Sequence, residues 1–286
     1  MPYILTHTAF GYEVLEALGQ DPEAASPNFY LGCCGPDPYF FYQPLKSLFK
    51  RTYDDLGHKF HSLPADRLFS AMLPAIDQVE KDFLRGMVCH FCLDAAAHPY
   101  VTSRPRSMGH SLMEVVMDMQ LYPALSKKIL TPTQRQKGAD LDRLDLYMSR
   151  TAEKATGEAA PGVYKSSVRS FLTLMKLSYD PTGRKRKVFS VLERPFTKPG
   201  NFSGFMLTEG ISDELDVMNA NHIPWRNPKN PEVLRRESFT ELYALGLEEA
   251  VRCLKLLDQG DTEGFLSRAA HNCMEYGPIV ASKETL

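Results

Sequence analysis

Residues 82–98 form a helical run that is apolar on nearly every side, yet it carries two histidines and a carboxylate on one face. Phe83, Leu84, Met87, Val88, Phe91, Leu93 and Ala95 to Ala97 leave no broad polar stripe for solvent. Such a segment belongs at the centre of a helical assembly. His90, Asp94 and His98 fall at i, i+4 and i+8, so they share one side of the helix. A carboxylate buried at that depth is costly unless a metal or a charged partner neutralises it. Pro99 follows, lacking a backbone donor and restricting His98, so the helix is expected to stop or distort there.

The next expected helix, about 107–127 with Ser107 as its N-cap, repeats the pattern. His110, Glu114 and Asp118 stand at the same four-residue spacing. Adjacent helices that each present a His–carboxylate face are how a bundle builds a metal site in its interior. His90 and His98 are roughly 12 Å apart along the axis. Metal–nitrogen bonds are only about 2 Å long, so one ion cannot easily take both. Two metal positions follow: His90 with Asp94, and His98 with His110 and Glu114. Cys89 and Cys92 lie in the same run, but no second CxxC completes a site; they read as small buried side chains.

Helical periodicity dominates the rest of the chain. Further helices are expected at 8–19, 46–62, 65–80 (despite Pro74), 139–155, 162–179 and 261–275, with the capping box Ser238-x2-Glu241 opening another to about 258. Asp21 to Pro38 reads as a Pro- and Gly-rich connection, and about 195–236 as a long irregular loop covering a site. No β-alternation or internal repeat is evident. One all-α domain over 1–286, a multi-helix bundle, is the economical reading. The net charge of −2 gives no sign of a general nucleic-acid binder, and no apolar run reaches the length of a membrane span. The N-terminus has neither a basic region nor a long apolar one, so no secretory signal is read and a cytoplasmic location is expected.

The fragments also follow one another in a characteristic order: Thr6-His7, Gly35-Pro36-Asp37-Pro38, Gly57-His58-Lys59-Phe60-His61, Cys89-His90-Phe91-Cys92-Leu93-Asp94 through His98-Pro99-Tyr100, and His110-x3-Glu114. That order resembles the zinc-dependent phospholipase C family, whose fold is shared with the S1/P1 nucleases; the matching ligands lie within 7–118. The resemblance implies a phospholipase C/P1 nuclease-type bundle holding two to three zinc ions. It pairs His90 and Asp94 with Asp37 and one loop histidine around one ion, His61 being preferred and His58 left as a supporting neighbour. It assigns His98, His110 and Glu114 to a more separate ion, and gives His7 a share of Asp94 at a third. Asp118 reads as a supporting partner one turn beyond Glu114. The interval between Asp94 and His98 is shorter than in the familiar exported enzymes, which also use a mature N-terminus as ligand; here Met1 or Pro2 would have to serve.

The activity so implied is hydrolysis of a phosphodiester by metal-activated water attacking phosphorus in line, with Asp37 orienting or deprotonating that water. Phospholipid is the favoured substrate class, with peripheral membrane contact and without a stable nucleic-acid partner. An S1/P1-like nuclease or nucleotide phosphatase, or a non-catalytic metal-binding protein, is the alternative. Phe29, Tyr30, Tyr39, Phe40, Phe41 and Tyr42 surround Asp37 in sequence and read either as core packing or as a ligand-facing aromatic set. Gly183-Arg184-Lys185-Arg186-Lys187 reads either as a solvated run or as a contact for anionic lipid or phosphate. His222 reads as a turn residue or a cap over the cleft, and His271 has no assigned role.

Overall fold

The computed structural model describes residues 4–43, 54–104, 110–125, 131–195, 203–210 and 216–278. Helices dominate: α1 (Ile4–Ala17), α2 (Pro27–Gly32), α3 (Asp54–Ser62), α4 (Ala65–Met72), α5 (Gln78–Ser103) and α6 (His110–Leu125) form the N-terminal half. They are followed by α7 (Leu141–Thr156), α8 (Val163–Ser178), α9 (Arg184–Leu192), α10 (Phe239–Asp258) and α11 (Thr262–Ala269). Strand is confined, among the described residues, to two small antiparallel hairpins: β1 (Trp225–Asn227) with β2 (Asn230–Arg235), and β3 (Asn272–Cys273) with β4 (Gly277–Pro278). No helix of the described residues is long and apolar enough to cross a membrane.

Helix α5 is the axis on which the rest is hung. Asp77 caps its start by accepting from the Glu80 amide at 3.0 Å, and its middle turns are buried on every side. Helices α1, α2, α6, α7 and α10 all pack on it. The approach of α2 is unusually close because glycines meet there. A Cβ on Gly32 would fall 2.2 Å from the Phe83 carbonyl oxygen, and one on Gly86 2.0 Å from that of Phe29. The two backbones therefore touch, and the chain leaving α2 runs directly beside the His90 turn.

Several boundaries differ from the sequence reading, each for a physical reason. Helix α5 does not end at His98 but continues through Pro99 to Ser103. The hydroxyl of Thr102 donates to the His98 carbonyl at 3.0 Å and to the Pro99 carbonyl at 3.1 Å, and that of Ser103 donates to the Tyr100 carbonyl, so the last carbonyls are satisfied locally. Hairpin residue Gly277 packs against the Ala95 carbonyl, the one that Pro99 leaves without its helical donor. The expected helix over 65–80 is two helices, broken at Leu73-Pro74 and restarted by the Asp77 cap. The connection from Asp21 to Pro38 contains α2, whose N-cap Ser26 accepts from the Phe29 amide at 3.3 Å.

The segment 195–236, expected to be irregular, contains the β1–β2 hairpin and a 3-10 turn at Ser203–Phe205, and α9, just ahead of it, is a helix that was not expected. The hairpin packs near the C-terminal end of α5, with Trp225 edge-on to Tyr100 at 5.4 Å. The last helix stops at Ala269, and the β3–β4 hairpin replaces its expected final turns. The capping box at Ser238 and Glu241 forms as read, with both reciprocal bonds present. Met1, Pro2, residues 44–53 and Ser107 lie outside the described residues.

Candidate metal centre

Five side chains from four separate elements converge beside the middle of α5. His7 comes from the second turn of α1, Asp37 from a 3-10 turn (Asp37–Phe41), His61 from the last turn of α3, and His90 and Asp94 from α5. Asp94 is the hub. Its Oδ2 lies 3.1 Å from His90 Nε2 and 3.7 Å from His61 Nε2, while its Oδ1 lies 3.4 Å from His7 Nε2. Asp37 Oδ1 stands 3.2 Å from His61 Nε2 and 3.9 Å from His90 Nε2. The His7 and His90 rings stack with centroids 4.2 Å apart. His90 links two triads, His7–Asp37–His90 and His61–His90–Asp94, each with donor atoms all within 4.8 Å of one another.

The outer contacts show which ring atom each histidine presents. His61 Nδ1 donates to the Gly57 carbonyl at 2.6 Å, and His90 Nδ1 to the Cys33 carbonyl at 3.1 Å. Each bond fixes the tautomer, leaving Nε2 with its lone pair aimed inward. His98 follows the same rule, its Nδ1 facing the Glu275 carbonyl at 2.9 Å. The Nε2 atoms of His7, His61 and His90, Oδ1 of Asp37 and both oxygens of Asp94 are buried and lack a hydrogen-bond partner. So many orphaned acceptors at one point would be severely destabilising if nothing bridged them. Their chemistry, imidazole nitrogen with carboxylate oxygen, is the donor set that zinc takes.

Electrostatics agree with that reading. For Asp94, burial pushes the carboxyl up, but His90 and His7 outweigh it and hold the group well below the usual carboxylate range. For His90, burial pulls the imidazole down, and the Asp94 and Asp37 carboxylates reverse this to a net rise. His7 is lowered, first by burial and then by His90. Asp94 is thus held as the carboxylate, and histidine ligates a metal only through a neutral ring. Metal affinity at this cluster accordingly rises with pH.

Asp118 supports the cluster from behind. Its carboxylate accepts from the backbone amides of Leu5 and Thr6 at 3.0 and 3.1 Å and from the Thr6 hydroxyl, all at the exposed-dipole end of α1. That end carries His7. Asp118→Ala is expected to cost about 2–3 kcal/mol in chemical denaturation, because two buried amides lose their acceptor. Zinc affinity should fall by about 10- to 100-fold, as for other partners that orient a ligand. Wild-type zinc affinity in the variant would exclude a positioning role.

His58 and His61 part company: His61 is buried in the cluster, while His58 is exposed, with the Phe40 ring edge-on to it at 4.9 Å. His98 on α5 and Glu114 on α6 are both buried, and the His110 side chain lies outside the described residues. The Asp37 loop is more rigid than its Gly-Pro composition implied. The Asp37 amide donates to the Cys34 carbonyl and that of Tyr39 to Pro36, closing a 3-10 turn. Of the surrounding aromatics, Phe29, Tyr30 and Tyr39 are core residues, and Phe40, Phe41 and Tyr42 are half-buried. All six cysteines are free and buried. His222 keeps a turn at positive φ and faces the Arg236 carbonyl.

Sequence reasoning missed the carbonyls of Cys33, Gly57 and Glu275. The first and last are set by tertiary packing alone; Gly57, four residues before His61, had a helical spacing that could have shown it. No curated protein and no solved structure shows a significant match to the chain. A sequence model of zinc-dependent phospholipase C matches residues 6–159, more than half of the 286 and including every residue of the cluster. The chain therefore belongs to the zinc-dependent phospholipase C family.

Proposed function

We propose that the protein is a zinc-dependent phosphodiester hydrolase of phospholipase C type, acting on a phospholipid, with the helices forming a single domain of the phospholipase C/P1 nuclease type. The observation that carries this is the set of orphaned, inward-facing Nε2 and carboxylate atoms of His7, Asp37, His61, His90 and Asp94. His98, Glu114 and His110 are assigned to a further ion. Zinc held by these residues would polarise water and neutralise charge on the phosphoryl oxygens. The chain's own part is to fix the donors and to hold a proton acceptor at Asp37. Asp37 is suited to that task because one oxygen faces His61 and the turn that carries it is closed by backbone bonds.

Purified protein reconstituted with zinc should retain at least about two equivalents by elemental analysis, since the donors divide between two stretches of α5. Retention below one equivalent removes the multi-metal assignment. Asp37→Asn should lower turnover of a phosphodiester by about 100-fold or more while most of the zinc stays bound, the loss typical of a general base. Near-normal turnover in that variant takes the proton-accepting role away from Asp37.

A further inference from the structure

Helix α9, Arg184–Leu192, sits on the protein the wrong way round. Its nine residues are Arg, Lys, Arg, Lys, Val, Phe, Ser, Val and Leu, and none is buried. The half-buried positions are Arg186 and Ser190, four apart on one face. Val188, Val191 and Leu192 are 56, 60 and 59% exposed, and Phe189 is 39% exposed. Those four apolar residues share the opposite face by i, i+3 and i, i+4 spacing. A helix stabilised by its own domain would put that face inward. Leu177, at the end of α8, adds a further exposed leucine close by in sequence.

The charge is equally one-sided. Four cations occupy the first turn and no acid occurs in the helix, in a chain whose overall net charge is −2. Glu193, immediately after, is buried and bonded to the amide and hydroxyl of Ser203, so it does not offset the cations at the surface. Lys185 spends its ammonium on the Leu177 and Tyr179 carbonyls at 2.9 Å, anchoring the helix to the end of α8. Asp180 accepts from the Arg186 amide at 2.8 Å and fixes the helix start. Arg184 and Lys187 remain as exposed cations beside the apolar face.

We propose that α9 is a membrane-docking element that inserts Val188, Phe189, Val191 and Leu192 into an anionic lipid surface, with Arg184 and Lys187 on the headgroups. A helix whose polar face rests on the protein and whose apolar face points to solvent forms a ridge, and a bilayer receives a ridge without needing a matching groove. The adjacent cations are complementary to anionic lipid rather than to a neutral surface. The inference stands on α9 alone and is independent of what the metal centre hydrolyses.

The test is co-sedimentation of the full chain with vesicles of phosphatidylcholine alone and of phosphatidylcholine mixed with phosphatidylglycerol. Wild type should bind the mixed vesicles and bind the neutral ones more weakly. Phe189→Glu/Val191→Glu should weaken binding at least about tenfold, given the apolar area withdrawn. Arg184→Ala/Lys187→Ala should weaken it by about fivefold per cation, and added salt should mimic that loss. Because the substituted positions are solvent-exposed, the unfolding midpoint and turnover of a soluble phosphodiester should be unchanged. Failure of wild type to bind mixed vesicles, or equal binding by the Glu variant, overturns the proposal. A wild-type dimer that Phe189→Glu/Val191→Glu converts to monomer also overturns it, assigning the face to a second copy. Turnover retained in any of these outcomes leaves the hydrolase reading standing.

Discussion

Asp94→Asn is expected to abolish metal-dependent turnover, with a loss on the order of a thousandfold or more. Among the described residues Asp94 is the one carboxylate close to three histidines, His7, His61 and His90, and both of its oxygens face them. Replacing it keeps the volume but removes the charge that would offset buried cations, so any ions held beside it would lose affinity together. A cluster of metals supplies several kcal/mol of transition-state stabilisation, and three orders of magnitude correspond to about 4 kcal/mol. The zinc assigned to His98 should be retained, so elemental analysis should show partial rather than complete loss.

The same variant has a pH consequence in the metal-free state. Asp94 is depressed, so its contribution to stability is present above the unfolded carboxyl value of about 3.9 and is lost as pH falls through its lower folded value. His90 is raised, so its contribution is present below the unfolded imidazole value of about 6.5 and is lost as pH rises through its folded value. Between about 3.9 and 6.5 both hold, opposed by His7, whose lowered value removes stability as pH falls below about 6.5. Unfolding measured in chelator should therefore show wild type most stabilised toward the upper end of that window. Asp94→Asn should flatten that window. A variant with full turnover and an unchanged stability profile would show that Asp94 is not the hub.

The parts of the centre that lie on regular helices were readable in advance. His90 and Asp94 share a turn-to-turn face by spacing alone, and the apolar run around them announces burial before any tertiary contact is known. His61 over His58 was a harder choice, because residues three apart on a short helix point in nearby directions. Packing sets their positions: Phe40 edges against His58 at the surface while Gly57 and Asp37 hold His61 inside. What escaped is what long-range packing sets. Pro99 lies within α5 because Thr102 and Ser103 satisfy the carbonyls beyond it. The β3–β4 hairpin is too short to show an alternation, although it delivers the Glu275 carbonyl to His98. Neither α9 nor its orientation is legible in the sequence, where Gly183 to Lys187 reads only as a solvated run or an anionic contact.

Gly35→Ala should cost on the order of 2–5 kcal/mol and disable the deep metal cluster. Gly35 has φ near +54°, where an L side chain is strained by about 1–2 kcal/mol. A Cβ there would also fall 2.3 to 2.6 Å from three atoms of the His90 ring, and forcing a group into a packed site costs about 1–3 kcal/mol more. The ring cannot simply retreat. Its far side is stacked on His7, and its Nδ1 is tied to the Cys33 carbonyl. Either His90 turns, taking Nε2 away from Asp94, or the Asp37 turn lifts from α5 and takes Asp37 with it. Both routes separate donors that must lie within bonding reach of the same ions. Gly19→Ala provides the control, because Gly19 has φ near +71° and no atom within 4 Å of the position its Cβ would take. It carries the strain without the collision, so it should lose only about 1–2 kcal/mol and keep its zinc and turnover. Unfolding in denaturant with zinc titration of both variants separates the two effects. If Gly35→Ala loses no more stability than Gly19→Ala and binds zinc normally, the glycine serves only the backbone turn, and the close seat of His90 under the Asp37 loop is not what builds the centre.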